Sequence, residues 1–235
     1  MRFGKLLLSA GILFSANFVQ AQTVDEIIDK HVAALGGKDV ISKVNTIYTE
    51  STLDVMGNSA STTSYLVNGK GFKNEIDFQG QTIVQVVTDK GGWQVNPLMG
   101  AAEPAAMSDD EFKAAKNSIY IGGPLVDYKN KGFNVELAGK DGANFLVKAT
   151  SPDKVVSTFS IDPTSFMIVK ATTSGNVQGQ DINIATTFSD YRKTDVGMMV
   201  PYKTETDLGQ FVLSYVINKI EVNKDIDPKV FDMPK

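Results

Sequence analysis

The side chains that could perform chemistry in this chain are few. The sequence holds one histidine, His31, and no cysteine. Catalysis by a serine nucleophile usually needs a histidine base, and metal sites usually combine several histidine or cysteine ligands. His31 lies at the border of the apolar stripe of a predicted helix, which indicates a residue that packs against its neighbours rather than a base or a ligand.

Other short motifs give no stronger prediction of catalysis. Asp109 and Asp110 fit the first turn of a capped helix, and the glycines Gly69, Gly71 and Gly91 fall in predicted hairpins rather than before helices, where glycines bind phosphate. The sequence contains neither a G-x-S-x-G nor an H-E-x-x-H motif. A carboxylate pair of the glycosidase kind stays open, because the sequence does not fix the distance between two acids. We therefore predict no enzymatic activity, no metal and no cofactor.

The composition is that of an ordinary globular protein. The chain has 235 residues, of which 42% are apolar, and a net charge of −4. Its basic residues are scattered singly, whereas phosphate binding needs a clustered basic face, so nucleic acid is excluded as a partner. All-β architectures of this length often form one domain, and we expect one domain over residues 22–235.

The first 21 residues are predicted to be a cleaved signal peptide. Arg2 and Lys5 form a basic start, Leu6–Phe14 is a short apolar run, and Ala21 ends a cleavage site of small residues. The apolar run is well below the roughly 20 residues that a membrane span requires. No cysteine follows the cleavage site for lipid attachment, so we expect an exported, periplasmic protein that has no lipid anchor.

Two capping boxes predict the main helices, because in each a Ser or Thr and a Glu three residues later bond each other's backbone amides. Thr23 opens the first helix, which ends at Gly36 and precedes a short second one. Ser108 opens another, which is predicted to run to about Ser118. The surrounding segment 97–125 is apolar and contains glycines, so it could be a lid over a cavity or ordinary cover for the core.

Apolar and polar residues alternate with a period of two through most of the remaining chain, which predicts antiparallel strands. Turn pairs such as Asn68-Gly69 separate the runs, as in hairpins. We identify about ten or eleven strands with short connections, and a sheet of that size cannot stay flat. The sequence therefore predicts an α+β fold, mainly antiparallel β, whose sheet curls or closes beneath helices.

One predicted strand, over residues 210–222, is apolar on both faces. A strand of this kind needs cover on both sides. One cover is the core, and the other could be helices or a cavity that holds an apolar ligand. The two sets of alternating apolar residues are Phe211, Leu213, Tyr215 and Ile217 on one face, and Val212, Val216, Ile220 and Val222 on the other.

The order of these elements resembles the LolA/LolB-like family of periplasmic outer-membrane lipoprotein carriers. An N-terminal helix ends in two glycines, a Gly-Trp-Gln-Val-Asn-Pro run at 92–97 ends the first group of strands, and a capped helix interrupts the sheet. The resemblance covers essentially all of the chain after residue 21, although the arginine that handles lipoproteins in the family has no clear counterpart here. The most specific part is the closing pattern Asn223-x-x-Ile226-Asp227-x-x-x-Phe231-x-x-Pro234.

The resemblance implies a curled, incompletely closed antiparallel barrel, covered by helices, with an apolar cavity that takes acyl chains. The implied function is transport in outer-membrane lipoprotein sorting: a soluble periplasmic chaperone, expected to be a monomer, holds a lipid, an acyl chain or a lipoprotein by burial and without chemistry. The cavity is expected between the sheet and the segments 24–43 and 97–125. Position and alternation select nine candidate lining residues: Trp93, Leu98, Met99, Met107, Phe112, Ile119, Met198, Phe211 and Leu213.

Two other interpretations of the chain stay open. It could be an interaction module whose open edge or concave face binds another envelope protein, or a carbohydrate hydrolase with paired carboxylates in a cleft. The candidate lining residues could equally be plain core residues, since methionine and other apolar side chains fill cores as well as binding sites.

Overall fold

Antiparallel strands make up the larger part of the protein. The computed structural model describes residues 22–177 and 180–234, so the predicted signal peptide, residues 1–21, lies outside the described residues. The strands form one open sheet in the order β6-β5-β4-β3-β2-β1-β13-β12-β11-β10-β9-β8-β7. Their bounds are β1 (Thr46–Val55), β2 (Asn58–Val67), β3 (Gly71–Phe78), β4 (Gln81–Thr88), β5 (Gly92–Asn96), β6 (Ala101–Ala106), β7 (Asn134–Asp141), β8 (Asn144–Thr150), β9 (Val156–Ile161), β10 (Ile168–Val177), β11 (Gln180–Lys193), β12 (Met199–Asp207) and β13 (Val212–Val222).

The sheet confirms the predicted class of fold but has more strands than predicted. In the described residues it has 13 strands, where the sequence indicated about ten or eleven. The strand β6 lies within the segment 97–125, which we had interpreted as an interruption of the sheet. It contains Pro104, which suits an edge strand because proline cannot donate a ladder hydrogen bond.

Short helices accompany the sheet in the described part of the chain. They are α1 (Val24–Ala34), α2 (Lys38–Ile41) and α3 (Asp109–Ala115), with 3-10 helices at Pro97–Met99, Lys116–Ile119 and Pro228–Phe231. Both predicted capping boxes are present, at the starts of α1 and α3. After α1, Gly36 has a φ of 121°, and a Cβ there would lie 2.8 Å from the carbonyl oxygen of Gly197, so glycine lets the turn before β12 approach the helix. None of the described helices has the length and apolar character needed to cross a membrane.

The helix α1 packs on one end of the sheet and forms the main core there. Its buried side chains include Ile27, Ile28 and Val32. Met198 is buried in the same core, and the backbone N–H of Met199 donates to the carbonyl oxygen of Leu35. The sheet contributes side chains from one face of β8 and β9, which we call the inner face: Phe145, Val147, Ala149, Phe159 and Ile161.

The register of the strands shows which side chains of the other strands share the inner face. Side chains that lie directly opposite each other on neighbouring antiparallel strands share a face. The inner face can therefore be followed from the α1 core to the centre of the sheet, and we call the opposite side the outer face. One row of opposed residues runs Val147, Phe159, Ala171, Thr186, Thr206, Leu213 and Val55.

The sheet curls toward its inner face. The helix α3 contacts β10, while the 3-10 helix that directly follows it contacts β3 and β4. In a flat sheet the seven steps from β4 to β10 would span about 34 Å. The connecting segment Asp109–Ile119 spans only about 18 Å. The structure therefore confirms the predicted curled and incompletely closed sheet.

The interpretation of β13 as a strand with two apolar faces is wrong. Ile217 pairs with Ser51 of β1, and the next pair joins Lys219 to Glu50. Asn218 has no partner on β1, so the strand contains a β-bulge, and the alternation of faces reverses there.

The bulge places Ile220 and Val222 on the same inner face as Leu213, Tyr215 and Ile217. Val212 and Val216 stay on the outer face, where they are 47% and 41% exposed. The outer side of β13 therefore needs no second apolar cover.

The C-terminal tail crosses the outer face and covers Trp93, the only tryptophan of the chain. The Nε1–H of buried Trp93 donates to the carbonyl oxygen of Phe231 at 2.8 Å. The Phe231 ring lies on Gly71, where a Cβ would be 3.1 Å from the ring. Asp227 accepts a hydrogen bond from the Lys229 N–H and so caps the 3-10 helix that carries Phe231. The closing pattern behind the family resemblance thus has a structural role, because it closes the outer face over Trp93.

His31 lies inside the α1 core and not at its border. Its side chain is 1% exposed, and its Nδ1 lies 2.8 Å from the carbonyl oxygen of Phe166. Because a carbonyl oxygen only accepts, Nδ1 carries the proton, and Nε2 is an acceptor without a partner among the described residues. Burial lowers the pKa of His31, since a charged ring would be poorly solvated in this core.

The buried His31 should make the stability of the protein fall on mild acidification. Its pKa in the folded state lies below the ordinary histidine value of 6.5, so the unfolded chain takes up the proton first. The free energy of unfolding should therefore decrease below about pH 6.5, by at most about 1.4 kcal/mol per pH unit. Chemical denaturation between about pH 7 and 5.5 measures this slope. His31→Leu should remove it, and an unchanged slope in that variant would assign the effect to other groups.

Removing the ring of Phe231 should uncover Trp93. We expect Phe231→Ala to shift the tryptophan emission to longer wavelength, to increase its quenching by acrylamide, and to lower the free energy of unfolding by about 1–3 kcal/mol, because a packed aromatic contact is lost. The exposed Met233 provides a matched control in the same tail, and Met233→Ala should leave the emission unchanged. Equal emission from Phe231→Ala and wild type would contradict the described position of the tail.

Candidate functional site

Charged side chains are absent from the inner face of the six central strands β4, β3, β2, β1, β13 and β12, all of which the structure describes in full. Asp54, for example, follows Leu53 but points outward, opposite Ser59 and Ser214. These six strands themselves therefore offer no ionised side chain to a ligand on their inner face. The charged residues of the six strands all lie on the outer face: Glu50, Asp54, Lys73, Glu75, Asp77, Lys203, Glu205, Asp207, Lys219 and Glu221.

An apolar surface occupies part of the inner face beyond the α1 core. Leu53 and Ala60 are buried there, and burial raises the pKa of the neighbouring Tyr215, as expected for a phenol in a poorly hydrated place. Other apolar side chains of this surface are only half-buried, so the protein by itself leaves part of their surface uncovered. They include Ile76, Phe78, Ile83, Leu213 and Ile217.

Uncharged polar side chains share the inner face with the apolar ones. The Ser64 hydroxyl donates to Oδ1 of Asn74 at 2.8 Å, and the hydroxyls of Ser157 and Thr173 lie 3.1 Å apart. A hydroxyl offers one donor and two acceptor positions, so each pair retains capacity for a further partner. We call this set the polar track: Thr49, Ser51, Thr62, Ser64 and Asn74 on β1–β3, with Ser157, Thr173, Thr186, Thr204 and Thr206 on β9–β12.

Four of the nine predicted lining residues lie on the inner side of the sheet or on the helical segment beside it. Leu213 is half-buried on the inner face, opposite Thr206. Met107 packs against Gly92, at a point where a larger residue would clash with its side chain. Phe112 is half-buried on α3, and Ile119 is buried at the end of the 3-10 helix that follows.

The other five predicted lining residues lie elsewhere, so the structure does not bring the nine together. Trp93 is beneath the tail on the outer face, and Met198 belongs to the α1 core. Phe211 is half-buried just before β13. Leu98 and Met99 are exposed in the 3-10 helix between β5 and β6. A ligand-binding role for any of the nine stays a prediction.

A cavity of about 980 Å³ lies on the outer face, between the sheet and the C-terminal tail. Trp93, Ile226 and Phe231 provide its apolar lining, and Lys70 and Asp89 lie among its polar residues. Trp93 is the one predicted lining residue that borders it.

A second cleft, of about 790 Å³, lies between α1, α2 and the segment 120–131. This is close to the predicted position of the cavity, but none of the nine candidate residues lines it. Asp25 at the cleft accepts hydrogen bonds from the Tyr128 hydroxyl and, at 3.0 Å, from Lys129 Nζ, and these bonds lower the pKa of Asp25. Within residues 22–177 and 180–234, no three His, Cys, Asp or Glu side chains come together in a way that could hold a metal ion.

Sequence reasoning missed the polar track, although the strands carry its signal. In β3, the charged residues Lys73, Glu75 and Asp77 alternate with Asn74 and Ile76, and the same form recurs in β12. Alternation of this kind assigns all charges to one face, so the intervening residues must face the other side. The nine candidates were limited to apolar side chains, whereas the positions that alternate with the charged residues also include the hydroxyl and amide side chains of the polar track.

Neither family models nor curated protein sequences match the chain, whereas solved structures match it over most of its length. A LolA superfamily protein from Nitrosomonas europaea is similar with 12% identity and a TM-score of 0.59, over 90% of this chain and 98% of that chain. A DUF1329 family protein from Desulfovibrio piger gives 11% identity and a TM-score of 0.59 over the same shares, 90% and 98%. A domain named for outer-membrane lipoprotein sorting, from Vibrio parahaemolyticus, is similar with 13% identity and a TM-score of 0.54. This similarity covers 88% of this chain and 95% of that chain.

At such low identities these likenesses concern the fold. They agree with the large, open antiparallel sheet described above. The protein therefore has the LolA-like fold.

Proposed function

We propose that this protein is a periplasmic carrier that holds a lipid, an acyl chain or the acyl group of a lipoprotein on the inner face of its sheet, without covalent chemistry. The proposal rests on one observation: half-buried apolar side chains lie on a face that has no charged side chain in the six central strands. The LolA-like fold, shared with a domain named for lipoprotein sorting, supports it.

Burial alone can hold a ligand of this kind. Each CH₂ group removed from water contributes about 0.8 kcal/mol, so six buried groups of an acyl chain contribute about 5 kcal/mol. Part of that gain is offset by the lost freedom of the ligand. Because no bond forms, a partner that offers deeper burial can take the ligand over, which is what a carrier requires.

The proposal also includes the location of the protein and its oligomeric state. Export rests on the predicted signal peptide, with cleavage after Ala21 and no lipid anchor, and the carrier acts as a monomer without cofactor or nucleic acid. We also propose that it is not an enzyme. A hydrolase would need a carboxyl group with a raised pKa as general acid, whereas the Tyr128 and Lys129 bonds lower the pKa of the cleft residue Asp25.

An envelope protein is a second candidate partner. The sheet has two open edges, and β7 at one of them exposes Leu137. An edge strand presents unpaired backbone groups that another chain can extend. This candidate needs no ligand on the inner face, so ligand-binding measurements separate it from the carrier.

A charge placed on the inner face should weaken ligand binding. Leu213 is half-buried on that face, and its neighbour Val212 points outward. Leu213→Glu should weaken binding of the neutral probe N-phenyl-1-naphthylamine by about tenfold or more, because a carboxylate covered by an apolar ligand loses its hydration without gaining a partner. Val212→Glu adds the same charge to the same strand and should leave the affinity unchanged. A fluorescence titration measures both, with circular dichroism to confirm folding.

The comparison also separates the possible sites. Equal affinity of wild type, Leu213→Glu and Val212→Glu would place the probe elsewhere, for example in the cavity beneath the tail. Failure of the wild type to bind the probe or any lipid would contradict the carrier function.

A further inference from the structure

We infer that the ligand of the inner face is an amphiphile with an uncharged, hydroxyl-bearing head group, and that the polar track binds that head group. The inference rests on the proposed function and names the class of ligand that the carrier takes. A monoacylglycerol and an alkyl glycoside belong to this class, whereas a fatty acid and an anionic phospholipid do not.

The first part of the polar track crosses β1, β2 and β3. Thr49 lies opposite Ser64, and Ser64 lies opposite Asn74, so the three form one row across three strands. The Thr62 hydroxyl donates to the carbonyl oxygen of Ser51 at 3.2 Å, and the Ser64 hydroxyl donates to Oδ1 of Asn74 at 2.8 Å. The Asn74 side-chain amide group still has its two N–H donors to offer to a ligand.

The second part of the polar track crosses β9 to β12. The hydroxyls of Ser157 and Thr173 lie 3.1 Å apart, and those of Thr186 and Thr206 are also 3.1 Å apart. All four side chains are half-buried. Within each pair the two hydroxyl oxygens are at hydrogen-bond distance. A hydroxyl group of a ligand could therefore bond to either oxygen at a similar distance.

Apolar side chains separate the two parts of the polar track. Tyr215 on β13 lies opposite Leu53 on one side and opposite Thr204 on the other. The inner face thus offers apolar contact and hydrogen-bonding groups side by side, which matches a molecule with an acyl or alkyl chain and a polar head.

The charge distribution then selects the kind of head group. A carboxylate or phosphate that leaves water needs a cationic partner, and without one it is strongly disfavoured. The lysines of β3, β12 and β13, namely Lys73, Lys203 and Lys219, all lie on the outer face. The guanidinium of Arg192 on the neighbouring strand β11 is already paired with Asp190. Hydroxyl groups, in contrast, find partners along the polar track, because hydroxyls both donate and accept.

Four amphiphiles with the same twelve-carbon chain test the inference, each below its micellar concentration. They are monolauroylglycerol and dodecyl glucoside, which are neutral, laurate, which is anionic at about pH 8, and dodecyltrimethylammonium, which is cationic. Isothermal titration calorimetry on the purified protein should show the two neutral ligands binding at least about tenfold more tightly than either ion. The ratio of the affinities for monolauroylglycerol and dodecyl glucoside shows whether a glycerol or a glucose head group is preferred.

The outcomes separate this inference from the proposed function. If laurate or the ammonium compound binds as tightly as the neutral ligands, the carrier function stands and the head-group inference is overturned. If none of the four binds, the carrier function itself fails.

A cation placed on the polar track should change the preference. Asn74→Lys should raise the affinity for laurate relative to monolauroylglycerol by about tenfold, because the carboxylate gains a partner. Ser61→Lys places the same charge on the outer face, opposite Asp77, and should leave the ratio unchanged. Thr204→Lys repeats the test on β12 in case the first variant does not fold. An unchanged ratio in a folded inner-face variant would show that the head group does not reach the polar track.

Discussion

The separation of charge between the two faces of the six central strands is the constraint on which the rest of the structure depends. An ionised side chain that is buried without a partner costs several kcal/mol, so a curled sheet has to keep its charges on the convex, solvated side. The alternation of strands provides this directly, as in β3 and β12. On the outer face the charges also find partners, with Lys73 Nζ 2.8 Å from Glu75 and Lys203 Nζ 2.9 Å from Glu205. The charged outer face is therefore solvated by water, and the inner face is free for apolar contact.

The inner face serves one purpose at the end covered by α1 and another at the centre of the sheet. At the end formed by β7 to β9, α1 covers it, and side chains such as Ile27, Val147 and Ile161 are completely buried. This end supplies stability. Toward the centre of the sheet the apolar residues are half-buried and alternate with hydroxyl groups, so the protein does not use this surface fully for its own packing. Position relative to α1 thus decides which part of one continuous face is core and which part is available to a ligand.

Features determined by local sequence were predictable, and features determined by distant partners were not. The capping boxes of α1 and α3 depend on residues three apart, and the strands depend on alternation, so both followed from the sequence. The bulge at Asn218 depends on the register with β1, more than 150 residues away along the chain. The burial of His31 depends on Phe166, on a different part of the chain. Exposed Leu98 and Met99 show that apolar character alone does not identify a site, because it carries no information on the direction of a side chain.

The composition of the polar track explains how an open inner face can exist without a ligand. Larger apolar residues at Ser51, Ser64 and Ser157 would fill the space and turn the inner face into a closed core, whereas small side chains leave it open. An open face of bare apolar residues would expose a large patch to water and to other proteins. Hydroxyl pairs such as Thr186 and Thr206 bond each other across the strands when no ligand is bound. They can exchange these bonds for bonds to a head group at small net change in free energy, since one hydrogen bond replaces another. The affinity then comes mainly from the buried chain, and the polar groups set the selectivity, which is the division of labour that reversible transport requires.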